Sequence, residues 1–225
     1  MERASIETVE MDELLNRGMG TLLYDGACGR IVRNEEGGVL VSNIEDGATL
    51  HRIVMDLHLR DCDQFCVKSA QAADYLCKAY DFSIHMACTL AVYDKPEVPP
   101  MPHADIRPLR EADLPLASKH YHLWDDTLDY LTERLQAGRL WGLYEDGKLA
   151  GFIGMHSEGS VGMLEILPEY RRRGLGTQLE NYLIRLHLQR GWKPFCHIVE
   201  GNAASIRLQE KLGFSFGKQP SIWVY

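Results

Sequence analysis

Residues 164–180 read LEILPEYRRRGLGTQLE, and this stretch decides how the rest of the chain is interpreted. An apolar strand pattern ends at Leu167, because the proline that follows cannot continue a strand ladder. Three arginines and two glycines come next, and the apolar spacing of residues 175–189 then predicts an amphipathic helix. The stretch therefore predicts a strand, a glycine-rich bend and a helix, in that order.

The bend is suited to an anion. Gly174 and Gly176 allow the backbone to turn tightly and to approach a ligand without an intervening Cβ. The first N–H groups of the predicted helix lack intrahelical acceptors and lie at the positive end of its dipole. The bend lacks the Gly-Lys-Ser/Thr of a nucleoside-triphosphate loop, and it has only two glycines of a dinucleotide fingerprint. It predicts a pyrophosphate site, and the alternative is a helix start with a basic cap.

Outward from this stretch, the second half of the chain has the pattern of an α+β domain. Turn signals such as Asp146-Gly147 separate three short apolar runs, which predicts an antiparallel meander. Two short helices are predicted before the meander, and they are broken near residues 121–125. The predicted strands are 140–144, 149–156, 161–167, 195–199 and 221–225, and the predicted helices lie within 111–137 and over 175–189 and 203–212.

A proline-rich connector divides the chain, since five of its nine prolines fall between Pro96 and Pro108. The halves on either side share three matches in the same order. These are LHLRDCDQFC with LHLQRGWKPFC, an Ala-rich helical stretch that ends in Phe, and a final Val-Tyr. We interpret the matches as a duplicated α/β unit. The predicted domains are residues 1–95 and 104–225, with a linker over 96–103.

The order strand, LPEYRRRGLG, helix, strand and GNAASIRLQEKLGF resembles the GCN5-related N-acetyltransferase (GNAT) superfamily over about residues 104–225. The tandem arrangement also resembles glycine N-acyltransferase-like and FR47-like members, with residues 1–95 as a degenerate first copy. The resemblance implies an α+β fold with a mixed, mostly antiparallel sheet flanked by helices. It also implies that acetyl-CoA is the co-substrate and that its pantetheine arm enters where two central strands splay apart.

The resemblance assigns cofactor contacts to residues that match the two motifs of the family. Ile166 and Leu167 are expected to supply backbone contacts to the pantetheine and the acetyl carbonyl. Asn202 lies where the family has an asparagine that reaches the pantetheine arm, and Ser205 lies one helical turn beyond it. The alternative for Asn202 is a role only as the N-cap of its helix. The residues expected to hold the diphosphate are Arg171, Arg172, Arg173, Gly174, Leu175, Gly176 and Thr177.

Transfer of an acyl group to an amine requires a base that takes a proton from the acceptor. His197 falls where several members of the family place a glutamate, and histidine titrates near neutrality. Glu165, on the preceding strand, is the competing candidate, and His156 and Glu158 are weaker ones. The alternative for both His197 and Glu165 is an ordinary structural residue of a strand.

One position departs from the family pattern. The family usually has a tyrosine in L-Y-x-K-L-G-F as the acid that protonates the leaving thiolate, whereas this chain has Gln209 there. An amide has no proton to donate at neutral pH. Another group or water therefore protonates the thiolate, or the step is dispensable, or transfer is slow.

The acceptor is expected between the early helices and the splayed strands, which points to the stretch KHYHLWDDTLDY. Its aromatic rings and carboxylates are able to hold an ammonium group. Such a helix junction is also typical of ordinary packing and solvation. The predicted acceptor-binding residues are Tyr121, His122, Trp124 and Asp125.

The first copy lacks cations at the equivalent bend. Aligning the helices of the two copies places Asn43-Ile44-Glu45-Asp46 opposite Arg172-Arg173-Gly174-Leu175. Two carboxylates at that position would repel a pyrophosphate. We therefore expect that only the second half binds the cofactor and that the first half is a structural partner.

Composition excludes several function classes. The 225 residues are 45% hydrophobic and 25% charged, as in ordinary globular proteins. The net charge of −8 argues against partners such as nucleic acid or an anionic membrane. No apolar stretch is long enough for a bilayer and no signal-peptide pattern begins the chain, so a cytoplasmic location is expected. The six cysteines lack paired C-x-x-C spacing, and no metal site is predicted.

The sequence therefore predicts an N-acetyltransferase that moves an acetyl group from acetyl-CoA directly to a primary amine of a small molecule or peptide. The tandem layout favours, as an alternative, an N-acyltransferase that joins a longer acyl-CoA to glycine or another amino acid. Gln209 motivates a third interpretation, an acyl-CoA-binding sensor without turnover.

Overall fold

The computed structural model describes residues 6–59, 62–97, 99–100, 103–121 and 127–225. Contacts divide the chain into two compact units, the first formed by Met1–Asp94 with Phe195–Tyr225 and the second by Lys95–Pro194. Within the described residues, no helix is both long enough and apolar enough to cross a membrane.

Helices and strands alternate through both units. In chain order they are α1 (Val9–Asn16), β1 (Gly20–Gly26), β2 (Gly29–Asn34), β3 (Leu40–Ser42), α2 (Gly47–Asp56), β4 (Phe65–Val67), α3 (Ala70–Tyr80), β5 (Ile84–Val92), β6 (Asp105–Pro108), α4 (Leu114–His120), α5 (Thr127–Gln136), β7 (Leu140–Glu145), β8 (Lys148–Met155), β9 (Val161–Ile166), α6 (Leu175–Gln189), β10 (Phe195–Val199), α7 (Ala203–Leu212) and β11 (Ser215–Val224). Short 3₁₀ turns precede α1, α4 and α6, at Ile6–Thr8, Glu111–Asp113 and Pro168–Tyr170.

Each unit has its own sheet. The first unit has a seven-stranded sheet in the order β1-β2-β3-β4-β11-β5-β10, in which only β3 and β4 are parallel neighbours. The second unit has a four-stranded antiparallel sheet in the order β6-β7-β8-β9. The predicted fold class, α+β with a mixed and mostly antiparallel sheet flanked by helices, is confirmed.

The order of elements repeats along the chain. The series β1-β2-β3-α2-β4-α3-β5 is followed by the series β7-β8-β9-α6-β10-α7-β11. The Phe-Cys pair that the two copies share lies on β4 at Phe65 and on β10 at Phe195. The element order therefore agrees with the duplicated unit predicted from the sequence.

The last strand of the first copy lies between the last two strands of the second copy. β5 pairs with β10 on one side and with β11 on the other, and β11 also pairs with β4. For this reason residues 195–225 belong to the first unit, although the sequence-based boundaries assign them to a domain over residues 104–225. Local periodicity predicts that a segment is a strand but does not identify its neighbour in the sheet.

In the second unit, helices lie on both faces of the sheet. Leu114 of α4 and Leu131 of α5 are buried in one cluster with Phe152 of β8. On β9, the side chain of Ile166 lies near Gly176 of α6. The face that carries Phe152 is thus covered by α4 and α5, and the face that carries Ile166 by α6.

Candidate functional site

Helix α6 begins at a left-handed glycine. Gly174 has a φ of 78° and is the N-cap residue of α6, so it has no side chain with which to cap the helix. An L-residue with a side chain is strained at this φ, which gives a physical reason for the glycine. The first-turn amides of α6 thus lie at the positive end of the helix dipole without a capping group from the N-cap residue.

Gly176, in contrast to Gly174, is not required to be a glycine by its packing. A Cβ added there would lie 3.8 Å from the side chains of Ile166 and Leu164, which is an ordinary van der Waals contact. The fold would therefore accommodate alanine, and packing alone does not require glycine at this position. A larger side chain would press on β9, the strand on which Ile166 lies.

Strand β9 contains a β-bulge just before the bend. The register with β8 shifts between the pair Phe152–Glu165 and the pair Gly154–Gly162, and Met163 has a φ of 54°. A bulge leaves a backbone group outside the ladder, and it often redirects a strand next to an active site. Gly162 directly precedes Met163, and an isolated glycine inside a strand pattern often marks a bulge, but the apolar pattern predicted only a continuous strand over 161–167.

Two arginines of the bend form ion pairs with carboxylates of neighbouring strands. Arg171 Nη2 lies 2.8 Å from Glu165 Oε1, and Arg171 Nε donates to the Ile166 carbonyl at 2.8 Å. Arg173 makes two hydrogen bonds with the carboxylate of Glu145, of 2.7 and 3.0 Å. The cations predicted for the bend are therefore present, and two of them already contact carboxylates.

Glu165 faces the same side of the sheet as helices α4 and α5. It is paired across the strands with Phe152, and directly paired residues share a face of the sheet. Phe152 is buried in the cluster that includes residues of α4 and α5. Glu165 therefore points away from Ile166, whose side chain lies near Gly176 of α6.

His197, the other candidate base, lies in the first unit within a buried polar network. Its Nε2 is 2.7 Å from Glu10 Oε2, and its side chain is 8% exposed. The other oxygen of Glu10 is 2.7 Å from Lys68 Nζ. Ser221 Oγ accepts a hydrogen bond from Lys68 and donates one to Glu10. The network supports a structural role for the imidazole, which was the alternative considered for it.

The carboxyl group of Glu10 is held in its charged form. Burial alone would raise its pKa, but the Lys68 charge and the hydrogen bond with His197 lower the pKa of Glu10 to about 2. Glu10, Cys66 and His197 also have ligand atoms within 4.8 Å of one another, as a metal site would require. The ammonium group of Lys68 already supplies a cation to Glu10, so we assign no metal to this network.

Asn202 caps helix α7, also in the first unit. Its side-chain oxygen accepts a hydrogen bond from the backbone N–H of Ser205 at 3.1 Å. This is the N-cap role that was the alternative for Asn202. The contacts of Asn202 and Ser205 with pantetheine stay predictions. Gln209, farther along the same helix, is buried.

The predicted acceptor segment is only partly described. His122, Trp124 and Asp125 lie outside the described residues. Burial raises the pKa of Tyr121, and the charge of Glu158 raises it further. Glu158 is itself buried and accepts a hydrogen bond from Ser160.

Tyr130 is a neighbour of this group that sequence reasoning missed. Its hydroxyl lies 2.5 Å from His156 Nδ1, and the two rings are stacked. Burial and then the charge of Glu158 raise the pKa of Tyr130. Tyr121, Tyr130 and Glu158 thus form one partly buried polar cluster: both rings pack against the core that contains Phe152, and the charge of Glu158 acts on both hydroxyls. Because Tyr130 is 26 positions from His156, no local sequence signal links them.

In the first copy, side chains cap and cover the equivalent helix start. Asp46 is the N-cap of α2, and its carboxylate accepts a hydrogen bond from the N–H of Thr49 at 2.9 Å. Bonds from Thr49 lower the pKa of Asp46. A Cβ on Gly47 would come within 2.4 Å of Tyr75, so the side chain of Tyr75 packs directly against this helix start. Helix α2 therefore presents a carboxylate where α6 presents a glycine.

Comparison with known proteins identifies the second copy. Residues 104–214 match the model of the acetyltransferase (GNAT) family. No curated protein matches the chain.

Solved structures resemble the fold along almost the whole chain. A Drosophila protein has 19% identity and a TM-score of 0.59 over 97% of this chain and 86% of its own. A GCN5-related N-acetyltransferase from Kribbella flavida has 14% identity and a TM-score of 0.56 over 97% of this chain and 93% of its own. A protein from Novosphingobium aromaticivorans assigned to the GNAT family has 21% identity and a TM-score of 0.57, with 96% of each chain covered. These likenesses concern the fold, and the family match concerns the sequence; residues 104–214 therefore belong to the acetyltransferase (GNAT) family.

Proposed function

We propose that the chain is an N-acetyltransferase that transfers an acetyl group from acetyl-CoA directly to a primary amine of a small molecule or peptide. The observation that carries the proposal is the start of α6, where left-handed Gly174 has no capping side chain and follows three arginines. Membership of residues 104–214 in the GNAT family supports an acyl-CoA-dependent activity in general. A cytoplasmic location stays a prediction.

The residues of the bend fit the diphosphate of a CoA thioester. First-turn amides and arginine side chains are the groups that proteins use to bind phosphate. Backbone groups of Ile166 and Leu167 are proposed to contact the pantetheine, as are Asn202 and Ser205 in the first unit. The proposed diphosphate ligands are Arg171, Arg172, Arg173, Gly174, Leu175, Gly176 and Thr177.

The thioester supplies an activated acyl group, and the chain must supply a base and a group that stabilises the oxyanion. Backbone N–H groups beside the β9 bulge are suited to the oxyanion, because a bulge takes such groups out of the ladder. Glu165 and His197 are the proposed candidates for the base. The side chain of Glu165 is 23% exposed and that of His197 is 8% exposed, so Glu165 is the more accessible of the two.

Gln209 leaves no acid at the position where the family has a tyrosine. A thiol such as that of cysteine has a pKa of roughly 8.5, so a thiolate is a fairly good leaving group and departs without full protonation in the transition state. We propose that solvent protonates the thiolate and that Gln209 has a structural role, which its burial in α7 supports.

The acceptor is proposed to be an amine held near Tyr121 and Glu158. A carboxylate beside aromatic rings attracts an ammonium group, and the net charge of −8 favours a cationic acceptor over an anionic one. His122, Trp124 and Asp125 remain part of this proposal.

A thiol-release assay tests the activity. The full chain is incubated with acetyl-CoA and a panel of primary amines that includes polyamines, amino acids and basic peptides. Release of CoA above the amine-free rate for at least one amine is expected. Faster release with a longer acyl-CoA and glycine would support the N-acyltransferase instead. Tight CoA binding without CoA release for any combination of acyl-CoA and amine would support the non-catalytic sensor. Gln209 motivates that interpretation.

A further inference from the structure

Arg171 links the proposed diphosphate site to strand β9. Its guanidinium reaches Glu165 Oε1 and the carbonyl oxygen of Ile166, each at 2.8 Å. Glu165 is a candidate base, and the Ile166 carbonyl is a proposed pantetheine contact. A single side chain of the bend therefore contacts both groups.

A diphosphate is a better partner for this guanidinium than one carboxylate. It has more negative charge and more acceptor oxygens, and guanidinium groups pair well with phosphate. The existing ion pair is weak, because the Arg171 side chain is 54% exposed and the Glu165 side chain 23% exposed. Exchange of the carboxylate for a diphosphate is therefore favourable.

We propose that Arg171, Glu165 and Ile166 form a latch that the diphosphate of CoA opens. Arg171 turns from β9 to the diphosphate, which leaves the carboxylate of Glu165 to the acceptor amine and the Ile166 carbonyl to the pantetheine. The latch rests on the proposed function, and it couples occupation of the cofactor site to release of a candidate base. Arg173 is outside the latch, since its partner Glu145 lies on β7 and has no proposed catalytic role.

The latch makes Glu165 a competitor of the cofactor. Glu165→Gln should therefore tighten CoA binding by about two- to five-fold, the range by which an exposed ion pair shifts an equilibrium constant. In the Arg171→Gln background the same change should have no effect, because no guanidinium remains to be released. Isothermal titration calorimetry on the full chain measures the CoA affinity of the wild type, of each single variant and of the double variant. 3′-Phosphoadenosine 5′-diphosphate, which has the diphosphate but no pantetheine, should give the same pattern.

Glu169→Gln is the matched control. Glu169 is an exposed acid in the 3₁₀ turn of the same bend, and the described contacts do not join it to an arginine. This variant removes the same charge and should change the affinity by less than two-fold in both backgrounds.

Two results would overturn the latch. Equal tightening by Glu165→Gln with and without Arg171 would assign the effect to overall charge, and unchanged or weaker binding would show that the carboxylate does not compete. If the folded wild-type protein bound neither CoA nor the nucleotide, the proposed function would fall first, and the latch with it.

Discussion

At the scale of single residues, the buried ion pair of Glu10 and Lys68 makes the stability of the first unit sensitive to substitution of either residue. Both side chains are at most 1% exposed, so neither charge has water as an alternative partner. Lys68→Met should lower the free energy of unfolding by about 3–5 kcal/mol, because it leaves the charge of Glu10 buried and uncompensated. Urea denaturation measures the change.

The double variant Glu10→Gln/Lys68→Met is the control for this prediction. It removes both charges and should recover part of the loss, since paired charges couple in a double-mutant cycle. Additive destabilisation by the two substitutions would contradict the assigned pairing.

The low pKa of the Glu10 carboxyl group predicts that the free energy of unfolding falls at acidic pH. The pKa of Glu10 is about 2 in the folded chain and 4.5 for an unperturbed glutamate, as in the unfolded chain, so the unfolded chain takes up the proton first as pH falls. The stabilisation is complete above pH 4.5 and is lost as pH falls from there to about 2, and it amounts to about 3 kcal/mol. Glu10→Gln should flatten the profile of unfolding free energy over this window, and an unchanged slope would contradict the low pKa.

Gly174 and Gly176 should respond differently to alanine. Gly174→Ala places a side chain at a φ of 78° and should cost about 1 kcal/mol of stability. Gly176→Ala adds a Cβ in ordinary contact and should cost less, apart from any effect on ligand binding. Thermal unfolding of the two ligand-free variants compares their stabilities. Equal losses of stability would argue against backbone strain at Gly174.

At the scale of elements, the sequence predicted most bounds in the second half of the chain closely but missed the start of the last strand. The observed bounds of α6, α7 and β10 coincide with the predicted ones. The two helices have apolar periodicity, and glycines mark the start of α6 and the end of α7. Strand β11 begins at Ser215 rather than at 221, and its register shifts between Phe216 and Pro220. A proline inside a strand interrupts the pattern that periodicity detects.

Asn202 offers a prediction at the start of α7. Asn202→Ala removes the hydrogen bond to the Ser205 N–H and should cost about 1 kcal/mol, whereas Asn202→Asp keeps a capping acceptor and should cost little. Chemical denaturation measures both. If Asn202 also contacts pantetheine, Asn202→Asp should weaken CoA binding without loss of stability; equal stability of the Ala and Asp variants would contradict the capping role.

At the scale of the whole molecule, the sequence predicted a duplication and the position of the connector but not the exchange of strands between copies. The matched Phe-Cys pairs indicate that the copies correspond, yet they contain no information on which strands become neighbours. β5 lies between β11 and β10, so the first copy completes a sheet that the second copy cannot form alone. The cluster of Tyr121, Tyr130 and Glu158 escaped prediction for a similar reason, since its members meet only after folding.

The exchange predicts that the second copy depends on the first. A fragment of residues 95–225 lacks β5, which leaves both β10 and β11 without their shared neighbour. It should be unfolded or aggregated, because a strand in the middle of a sheet satisfies backbone groups on both sides. Circular dichroism and size-exclusion chromatography check this, with the full chain as the control. A monomeric fragment that unfolds cooperatively would contradict the dependence.

The most direct test of the proposed cofactor site is a crystal structure of the full chain with CoA bound. One nucleotide per chain is expected, with its diphosphate within hydrogen-bond distance of the first-turn amides of α6 and with Arg171 turned away from Glu165. A diphosphate at the start of α2, or at any position that leaves the bend over residues 171–177 untouched, would contradict the account.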